Sequence, residues 1–490
     1  MLEQTKEGVL KKSIRGGKWL TLGYLIQKLI GIFSFLVLAR LLEPSDFGVI
    51  AIILIIPKFL EAATDTGFGA SIVQREGDIE KFLNPIWTIG IVKSLLIAGL
   101  IFLFGPLIAS FFHLEQAVFA IRLGGLFILI QNLANIGEIF FFKELDFKKV
   151  FIRNTSRELS YSLTALALVV FWHSYWILVI ATLVAYTTQA VSTYILHPYR
   201  PKLSFRFKNL IGLISYGKWI VSQRWLNQFY NLLENTTVAR ITSVESVGFY
   251  SKAKSVGGMI PVFLSSTLGI ISFPAYSKIQ EEKDKIKEGF IRSLDVLFFF
   301  TVPIIILLFA AGGRLITIFL GENWLPMLGA LQILVIFFTL NGVNELSVSV
   351  FNAVDRPKKQ ASFSAVRFFS TALIIIPLTF KFGILGAAVS LLAGSTILIA
   401  LNIVSLKNMS LVSLRKALGS LTLPAAIAII FLALATFWRQ GVAVLPAPIF
   451  IALIALSGLV YLGLIYLAGQ WYNYGPYQTI KLILKNILER

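Results

Sequence analysis

Fourteen stretches of about 20 or more mostly apolar residues run through this chain, and only short polar segments separate them. A helix needs about 20 residues to cross the roughly 30 Å hydrocarbon core of a bilayer. Only helices and closed barrels satisfy their backbone polar groups in lipid. Barrel strands would alternate polar and apolar residues over about 10 positions, and these runs do not. The pattern therefore predicts an all-α polytopic membrane protein with 14 transmembrane helices.

The composition agrees with this class, because 57% of the residues are hydrophobic and 14% are charged, with a mean hydropathy of +0.80. The predicted spans are residues 18–41, 46–68, 82–105, 117–142, 149–172, 175–197, 209–239, 246–275, 286–311, 325–353, 358–380, 383–406, 414–438 and 445–468. No connection between them is long enough for a separate soluble domain. The chain has no cysteine and three scattered histidines, so we expect no disulfide, no metal site and no cofactor.

The net charge of +19 is divided unequally between the two sides of the predicted bundle. If the N-terminus lies inside, the paired basic residues Lys11-Lys12, Lys148-Lys149 and Lys358-Lys359 all lie inside, as do most of the other loop cations. Such an excess of lysine and arginine marks the cytoplasmic side. We therefore expect a multi-pass protein of the plasma or inner membrane with both termini in the cytoplasm. The basic charge reflects topology and not a nucleic-acid partner, and no cleavable signal is expected.

The sequence repeats itself at a spacing of about 200 residues. Arg40 and Gly48 return as Arg240 and Gly248. Other matches in chain order are Ile56-Pro57 with Ile260-Pro261, Gly105 with Gly313, Lys148-Lys149 with Lys358-Lys359, and Ile177-Leu178 with Ile384-Leu385. Each half holds six predicted spans, an even number, so both halves have the same orientation. Parallel repeats of this kind favour a transporter with its site between the lobes.

This repeat gives a domain organisation of three parts. Residues 1–200 form an N-terminal lobe with spans 1 to 6, and residues 201–408 form a C-terminal lobe with spans 7 to 12. Residues 409–490 add spans 13 and 14 and a cytoplasmic amphipathic tail. The basic, proline-bearing stretch Tyr199–Asn209 is the expected linker between the lobes.

Ionisable side chains inside spans are costly and usually face a bundle interior or a water-filled cavity. Four cations fall near mid-depth on spans of both lobes, namely Lys28, Lys58, Lys93 and Arg224. A cavity with surplus positive charge attracts an anion, and phosphate or pyrophosphate suits lysine and arginine. We therefore interpret these four residues as candidates for binding pyrophosphate. The alternative is a structural network in which the charges neutralise one another.

Other polar residues inside the spans are candidates for lining the cavity or for coupling transport to an ion. These candidates are Glu61, Asp65, Asn227, Asn231, Glu234, Lys252 and Glu345. The chain contains no phosphate-binding loop, no HExxH and no GxSxG motif. We therefore expect a transporter and not an enzyme, driven by a gradient, by membrane potential or by cargo concentration.

Several short motifs give the chain a family resemblance. They are Leu38-Ala39-Arg40-Leu41-Leu42 with Pro44, Asp46-Phe47-Gly48, Asp65 with Gly67-Phe68-Gly69, Tyr250-Ser251-Lys252-Ala253, Phe273-Pro274-Ala275-Tyr276-Ser277, Gly321-Glu322-Asn323-Trp324 and Arg356-Pro357. Because these motifs occur together and in this order, the chain resembles the multidrug/oligosaccharidyl-lipid/polysaccharide (MOP) flippase superfamily. Within that superfamily it is most similar to the polysaccharide transporter family, with its Wzx/WzxC-type lipopolysaccharide and O-antigen exporters.

The resemblance implies two parallel six-helix lobes, MATE/MurJ-like, around a V-shaped cavity that alternates between the two faces. It implies a cargo of polyprenyl-pyrophosphate-linked oligosaccharide, an O-antigen or exopolysaccharide repeat unit, moved from the inner to the outer leaflet. By position, the family's central cations would fall on Lys28, Lys58 and Arg224. Polysaccharide polymerase and glycosyltransferases are the implied protein partners, beside the lipid bilayer itself.

Two alternatives to a flippase follow from the same pattern. One is a multidrug or small-molecule exporter of the same superfamily, which would favour acidic and aromatic residues in its cavity. The other is a membrane-embedded polysaccharide polymerase or ligase, which would need a long outer loop. The predominance of lysine and arginine in the spans and the short outer connections favour the flippase.

Overall fold

The computed structural model describes residues 2–64, 67–75, 79–206, 218–437 and 446–472. Within these ranges the backbone forms α-helices, short 3₁₀ helices and turns, with no strand. The α-helices are α1 (Leu2–Leu41), α2 (Pro44–Ile53), α3 (Ile55–Ala63), α4 (Phe68–Gln74), α5 (Glu80–Phe111), α6 (Val118–Asn132), α7 (Ile139–Lys143), α8 (Phe147–Val169), α9 (Trp176–Leu196), α10 (Lys218–Ile241), α11 (Val244–Lys278), α12 (Lys283–Phe319), α13 (Leu328–Ala353), α14 (Pro357–Asn408), α15 (Leu414–Phe437) and α16 (Ala447–Tyr472). The predicted all-α class is confirmed.

Eight helices in the described ranges are long and apolar enough to cross a bilayer, or nine if one bent pair counts as a single span. Many of their large apolar side chains face outward, where lipid would cover them. Leu103 and Leu107 of α5 are 69% and 68% exposed, and Phe380 of α14 is 83% exposed. The polytopic membrane class is therefore confirmed. The count of fourteen spans stays a prediction, because α2 and α3 are short and α8 and α10 carry many polar residues.

Helix α14 contains a sharp reversal in its middle. Gly383 has φ 58° and ψ −137°, which lie outside the helical region and which glycine adopts far more readily than other residues. The two arms run back alongside each other, since Lys359 Nζ lies 3.5 Å from Ser405 Oγ. The sequence predicts two spans in this segment, 358–380 and 383–406, and the reversal lies at their junction.

The chain also bends by 61° between Glu115–Asn132 and Ile136–Lys143. Asn135 lies at this bend with its side chain fully buried. Its side-chain oxygen accepts a hydrogen bond from Gly137 N at 2.9 Å, and its amide donates to the Tyr199 carbonyl oxygen at 2.6 Å. Because buried polar groups need such partners, the bend is fixed by a contact with residues far along the chain.

The chain divides into two compact units, Met1–Gly248 and Phe249–Arg490. A hydrophobic cluster of the first unit contains Phe68, Ile72, Ile79, Phe82, Leu83, Ile86 and Ile139. A larger cluster of the second unit contains Ile286, Phe290, Leu294, Leu297, Leu346, Val350, Phe351 and Leu406. The first unit also includes α10, whose Phe229 ring lies 5.5 Å from that of Phe59.

The domain boundaries after residues 200 and 408 stay predictions, and the tail beyond Tyr472 lies outside the described residues.

The helix ends follow the internal repeat of the sequence. Helix α1 ends at Leu41 and α2 begins at Pro44, whereas α10 ends at Ile241 and α11 begins at Val244. Both connections thus occur at equivalent positions about 200 residues apart. The matched residues seen in the sequence therefore mark equivalent helix ends in the two halves.

Candidate functional site

A polar cavity of about 250 Å³ lies within the first unit, among helices that are otherwise apolar. Its lining residues come from α3, α6, the segment after α6, and α9, and they are Glu61, Gln131, Asn132, Ala134, Glu138, Tyr186, Gln189 and Ala190. All six polar residues among them are partly exposed. At roughly 30 Å³ per water molecule, its volume corresponds to about eight waters. It is thus larger than a bare ion needs.

A glycine brings α3 close enough to α6 for Glu61 to reach the cavity. The space where Gly124 would carry a Cβ atom is bordered by Ile53 at 3.1 Å and Pro57 at 3.4 Å. Small residues allow such close approach of helices in a membrane. One turn further along α3, Glu61 faces Gln131 of α6. With the Gln131 amide oriented to satisfy both of its ends, its nitrogen donates to both Glu61 carboxylate oxygens at 3.2 Å.

The second carboxylate of the cavity is neutralised by a neighbouring cation. Glu138 Oε2 accepts a hydrogen bond from Arg153 Nη1 at 2.6 Å, and the Arg153 side chain is only 13% exposed. A short, partly buried, charge-assisted bond of this kind is among the stronger ones in proteins. Glu138 therefore has a fixed cationic partner beside the cavity.

The remaining amides leave oxygen atoms available at the cavity. Asn132 uses its amide nitrogen to donate to the Ile128 carbonyl oxygen at 3.0 Å. Gln189 Oε1 is buried and has no hydrogen-bond partner among the described residues. Carboxylate and amide oxygens accept hydrogen bonds or bind cations. The wall therefore suits hydroxyl groups, a proton or a cation better than it suits a phosphate.

The four predicted pyrophosphate ligands lie on four helices of the first unit, α1, α3, α5 and α10. Lys28 of α1 is half-buried, with its Nζ 5.4 Å from the centre of the Tyr24 ring. Lys58 of α3 is exposed, and Lys93 of α5 is half-buried. None of these is among the described lining residues of the polar cavity. The side chain of Arg224 lies outside the described part of the structure, so their convergence on one anion stays a prediction.

The other candidates are distributed over both units. In α10, Asn227 and Asn231 are exposed, whereas Glu234 is only 1% exposed. In the second unit, Lys252 is partly exposed and Glu345 is exposed. Asp65 lies outside the described residues. Of all the candidates named from the sequence, Glu61 is the one that the structure places at the described cavity.

A buried amide network in the second unit was not predicted from the sequence. Asn344 Oδ1 accepts from Gln360 Nε2 at 3.1 Å and from Asn402 Nδ2 at 2.9 Å. These three side chains are 7%, 2% and 0% exposed. Nearby, Arg367 Nη1 donates to Asn341 Oδ1 at 3.2 Å. Buried polar contacts of this kind restrict how helices pack. Sequence alone does not show this network, because Asn344 lies 16 residues from Gln360 and 58 from Asn402.

Within the described ranges, no group of three or more His, Asp or Glu side chains is arranged to hold a metal ion. Two carboxylates, Glu61 and Glu138, line the described cavity, and Glu138 is bound to Arg153.

Comparison with known proteins places the chain among polysaccharide biosynthesis and transport proteins. The family described as "Polysaccharide biosynthesis protein" matches residues 37–329. Lipopolysaccharide biosynthesis protein WzxC of Escherichia coli (strain K12) is 23% identical over 366 residues, covering 73% of each chain. Teichuronic acid biosynthesis protein TuaB of Bacillus subtilis (strain 168) is 24% identical over 351 residues, covering 71% of this chain and 72% of the relative.

Solved structures show the same fold. Lipid II flippase MurJ in an inward closed conformation superimposes with a TM-score of 0.74 at 15% identity, covering 92% of this chain and 98% of MurJ. An inward-facing multidrug resistance MATE family transporter of the MOP superfamily gives a TM-score of 0.61 at 13% identity, covering 78% and 94%. The MATE/MurJ-like fold expected from the sequence is confirmed.

Proposed function

Because this chain belongs to the polysaccharide biosynthesis protein family, we propose that it is a flippase for lipid-linked oligosaccharide. In this proposal the cargo is a polyprenyl-pyrophosphate-linked O-antigen or exopolysaccharide repeat unit, and it moves from the inner to the outer leaflet by alternating access. The protein is a transporter and not an enzyme. The observation that carries the proposal is the family match over residues 37–329.

The names of the relatives support this cargo class. One is a succinoglycan biosynthesis transport protein of Rhizobium meliloti (strain 1021), 21% identical over 303 residues. Polysaccharide repeat units carry many hydroxyl groups, and the cavity walled by amide and carboxylate oxygens offers acceptors for them. A polar cavity inside an otherwise apolar bundle also suits a cargo whose head group must avoid the hydrocarbon core.

Within this proposal the charged candidates have separate roles. Lys28, Lys58, Lys93 and Arg224 bind the pyrophosphate, and Glu61 and the other polar candidates line the path or couple it to an ion. Both termini lie in the cytoplasm, so that cargo enters from the side where glycosyltransferases assemble it. Polysaccharide polymerase and glycosyltransferases are then the protein partners, and the plasma or inner membrane is the location.

A reconstituted assay tests the proposal. Purified protein in liposomes is given lipid-linked oligosaccharide extracted from the native cells, and a lectin or glycosidase outside the vesicles reports the cargo that has crossed. We expect protein-dependent translocation that is abolished in Lys58→Ala and Arg224→Ala variants. The control is Lys381→Ala, at an exposed lysine beside Phe382.

Two results would contradict the proposal at different levels. Absence of translocation by the wild-type protein, with cargo from its own cells, would remove the flippase function. Unchanged translocation by both cavity-cation variants would keep the flippase but remove Lys58 and Arg224 as pyrophosphate ligands. Membrane insertion is measured for each variant, so that a defect in transport can be distinguished from a lower amount of inserted protein.

A further inference from the structure

Residues 199–206 form a segment without regular secondary structure that lies against the first turns of α5. Lys202 N donates to Asn84 Oδ1 and Ser204 N donates to Thr88 Oγ1, both at 2.8 Å. The two acceptors are four residues apart on a helix, about 6 Å, and two residues of extended chain cover about 6.6 Å. The segment therefore runs extended along α5, and alternate N–H groups fix it there. We call residues 199–206 the basic segment.

Two apolar side chains of the basic segment are largely uncovered by the protein. Leu203 is 63% exposed and Phe205 is 68% exposed. They alternate along the chain with Lys202 and Ser204, the residues whose N–H groups bind α5. Asn84 lies at the start of the third predicted span, so these side chains lie where the hydrocarbon core begins. Apolar surface at that depth is stabilised by contact with lipid acyl chains.

The basic segment also has an excess of positive charge. Residues 199–209 contain four cations and no carboxylate. Three of these cations lie in the described part of the chain and are exposed, namely Arg200, Lys202 and Arg206. No carboxylate of the described residues forms an ion pair with any of the three. They therefore offer N–H donors to an anion outside the protein.

We propose that the basic segment is a binding site for anionic phospholipids, on the side of the membrane that the basic residues predict to be cytoplasmic. Leu203 and Phe205 enter the acyl region, and the long side chains of Lys202 and Arg206 extend to the phosphate groups. An anionic membrane surface attracts each such cation, whereas a zwitterionic headgroup offsets its own phosphate charge. A water-soluble acidic partner would match the cations but leave the apolar side chains uncovered. This binding requires no cargo, so it is independent of the proposed function.

The absence of cysteine from the sequence allows the contact with lipid to be measured at one thiol. Leu203→Cys is labelled with bimane and reconstituted, without cargo, in phosphatidylcholine vesicles that contain a fixed fraction of one brominated lipid. Bromine quenches the fluorophore only at short range, so quenching reports the lipid beside residue 203. We expect brominated phosphatidylglycerol to quench several-fold more strongly than brominated phosphatidylcholine. Raising the salt concentration should reduce this preference, because salt screens exposed charges.

Charge removal tests the role of the cations. Lys202→Gln with Arg206→Gln changes two exposed side chains and keeps the backbone bond of residue 202, so the preference for the anionic lipid should be lost. The matched control is Lys407→Gln with Arg415→Gln, which removes two exposed cations elsewhere on the predicted cytoplasmic side and should keep the preference. Leu103→Cys, which is 69% exposed on α5, is the control for position. Both lipids should quench it equally.

Several outcomes would overturn the lipid site. Equal quenching of Leu203→Cys by the two brominated lipids would do so, as would no quenching by either. A preference that survives Lys202→Gln with Arg206→Gln, or that is equally lost in the control pair, would assign it to the general charge of the protein. If the double variant is not recovered, the salt series on Leu203→Cys takes its place, and a salt-independent preference overturns the site. None of these measurements uses transport, so failure of the flippase assay would leave the lipid site standing.

Discussion

At the scale of single residues, Glu61 is the candidate from the sequence that the structure places in the wall of the polar cavity. It lies on the short helix α3 between apolar residues, it is partly exposed, and its carboxylate accepts from the Gln131 amide. A carboxylate that lines a polar cavity within a membrane bundle is a candidate for coupling transport to a proton or a cation.

The first prediction concerns this carboxyl group. Glu61→Gln keeps the size and hydrogen-bonding capacity of the side chain and removes its charge. We expect translocation in liposomes to lose its dependence on an imposed pH or sodium gradient, while transport down the cargo's own gradient continues. Glu281→Gln, in an exposed turn, serves as the control. Equal gradient dependence in the two variants would exclude Glu61 as the coupling group.

The residues of the cavity were only partly predictable from the sequence. Glu61 was found because a charge within an apolar run is conspicuous. Gln131, Tyr186 and Gln189 were not, because uncharged polar residues also occur where helices simply pack. Which of them share a cavity depends on the close approach of α3 and α6 at Gly124, and no local pattern reports that distance.

At the scale of secondary-structure elements, the segment after α9 is held against α5 by hydrogen bonds. Asn84 Oδ1, on α5, accepts from the Tyr199 hydroxyl at 2.9 Å and from Lys202 N at 2.8 Å. Thr88 Oγ1, one turn later on α5, accepts from Ser204 N at 2.8 Å. The first part of the predicted linker between lobes therefore lies along α5.

The second prediction follows from these bonds. Asn84→Ala removes the acceptor that the Tyr199 hydroxyl and Lys202 N share. Because both groups then lose their partner on α5, the segment should detach from that helix. We expect faster trypsin cleavage after Lys202 and Arg206 in inside-out vesicles, since the Arg200–Pro201 bond resists trypsin. Asn408→Ala, at an exposed helix end, is the control. Identical cleavage in both variants would show that the attachment does not depend on Asn84.

The third prediction concerns the reversal within α14. Nothing lies within 4 Å of a Cβ atom at Gly383, so Gly383→Ala introduces no clash and changes only the backbone preference. Holding a non-glycine residue at a positive φ of this kind costs about 1–3 kcal/mol. We expect a lower midpoint of thermal unfolding in detergent. Gly99→Ala, a helical glycine with equally open surroundings, should not lower it, and equal midpoints would contradict the backbone argument.

Some features of these elements could be predicted from the sequence and others could not. The junction near Gly383 was predicted because two apolar runs meet there. The 61° bend after α6 was not predicted, since it depends on Asn135 bonding to Tyr199, which lies more than 60 residues away. The division of the second predicted span at Leu54 was also missed, because the apolar run continues through it.

At the scale of the whole molecule, the distribution of basic residues predicts one orientation. The cysteine-free sequence allows this fourth prediction to be tested with single thiols. Gln280→Cys, between α11 and α12, should react with an impermeant maleimide in inside-out vesicles. Ser243→Cys, between α10 and α11, should react in right-side-out vesicles. Both positions are exposed. The reverse pattern would invert the topology, and with it the direction assigned to transport.

The architecture of the molecule was largely predictable, because a bilayer sets the length and hydrophobicity of each span and allows only helices or closed barrels. The repeat added the equivalence of Arg40 with Arg240 and of Gly48 with Gly248. What the repeat could not show is that the two glycines touch. Equivalent positions in two halves need not be neighbours, and only the folded chain brings Val244 against Gly48.

The tight reversal at Gly383 has a consequence for insertions into the chain. A Cβ atom at Gly386 would overlap the Leu378 carbonyl oxygen, so the two arms of α14 leave almost no chain protruding from the bilayer between them. The segment Pro357–Asn408 is therefore a hairpin whose two arms are joined almost directly. A soluble tag or domain inserted between them would need added linker residues on both sides.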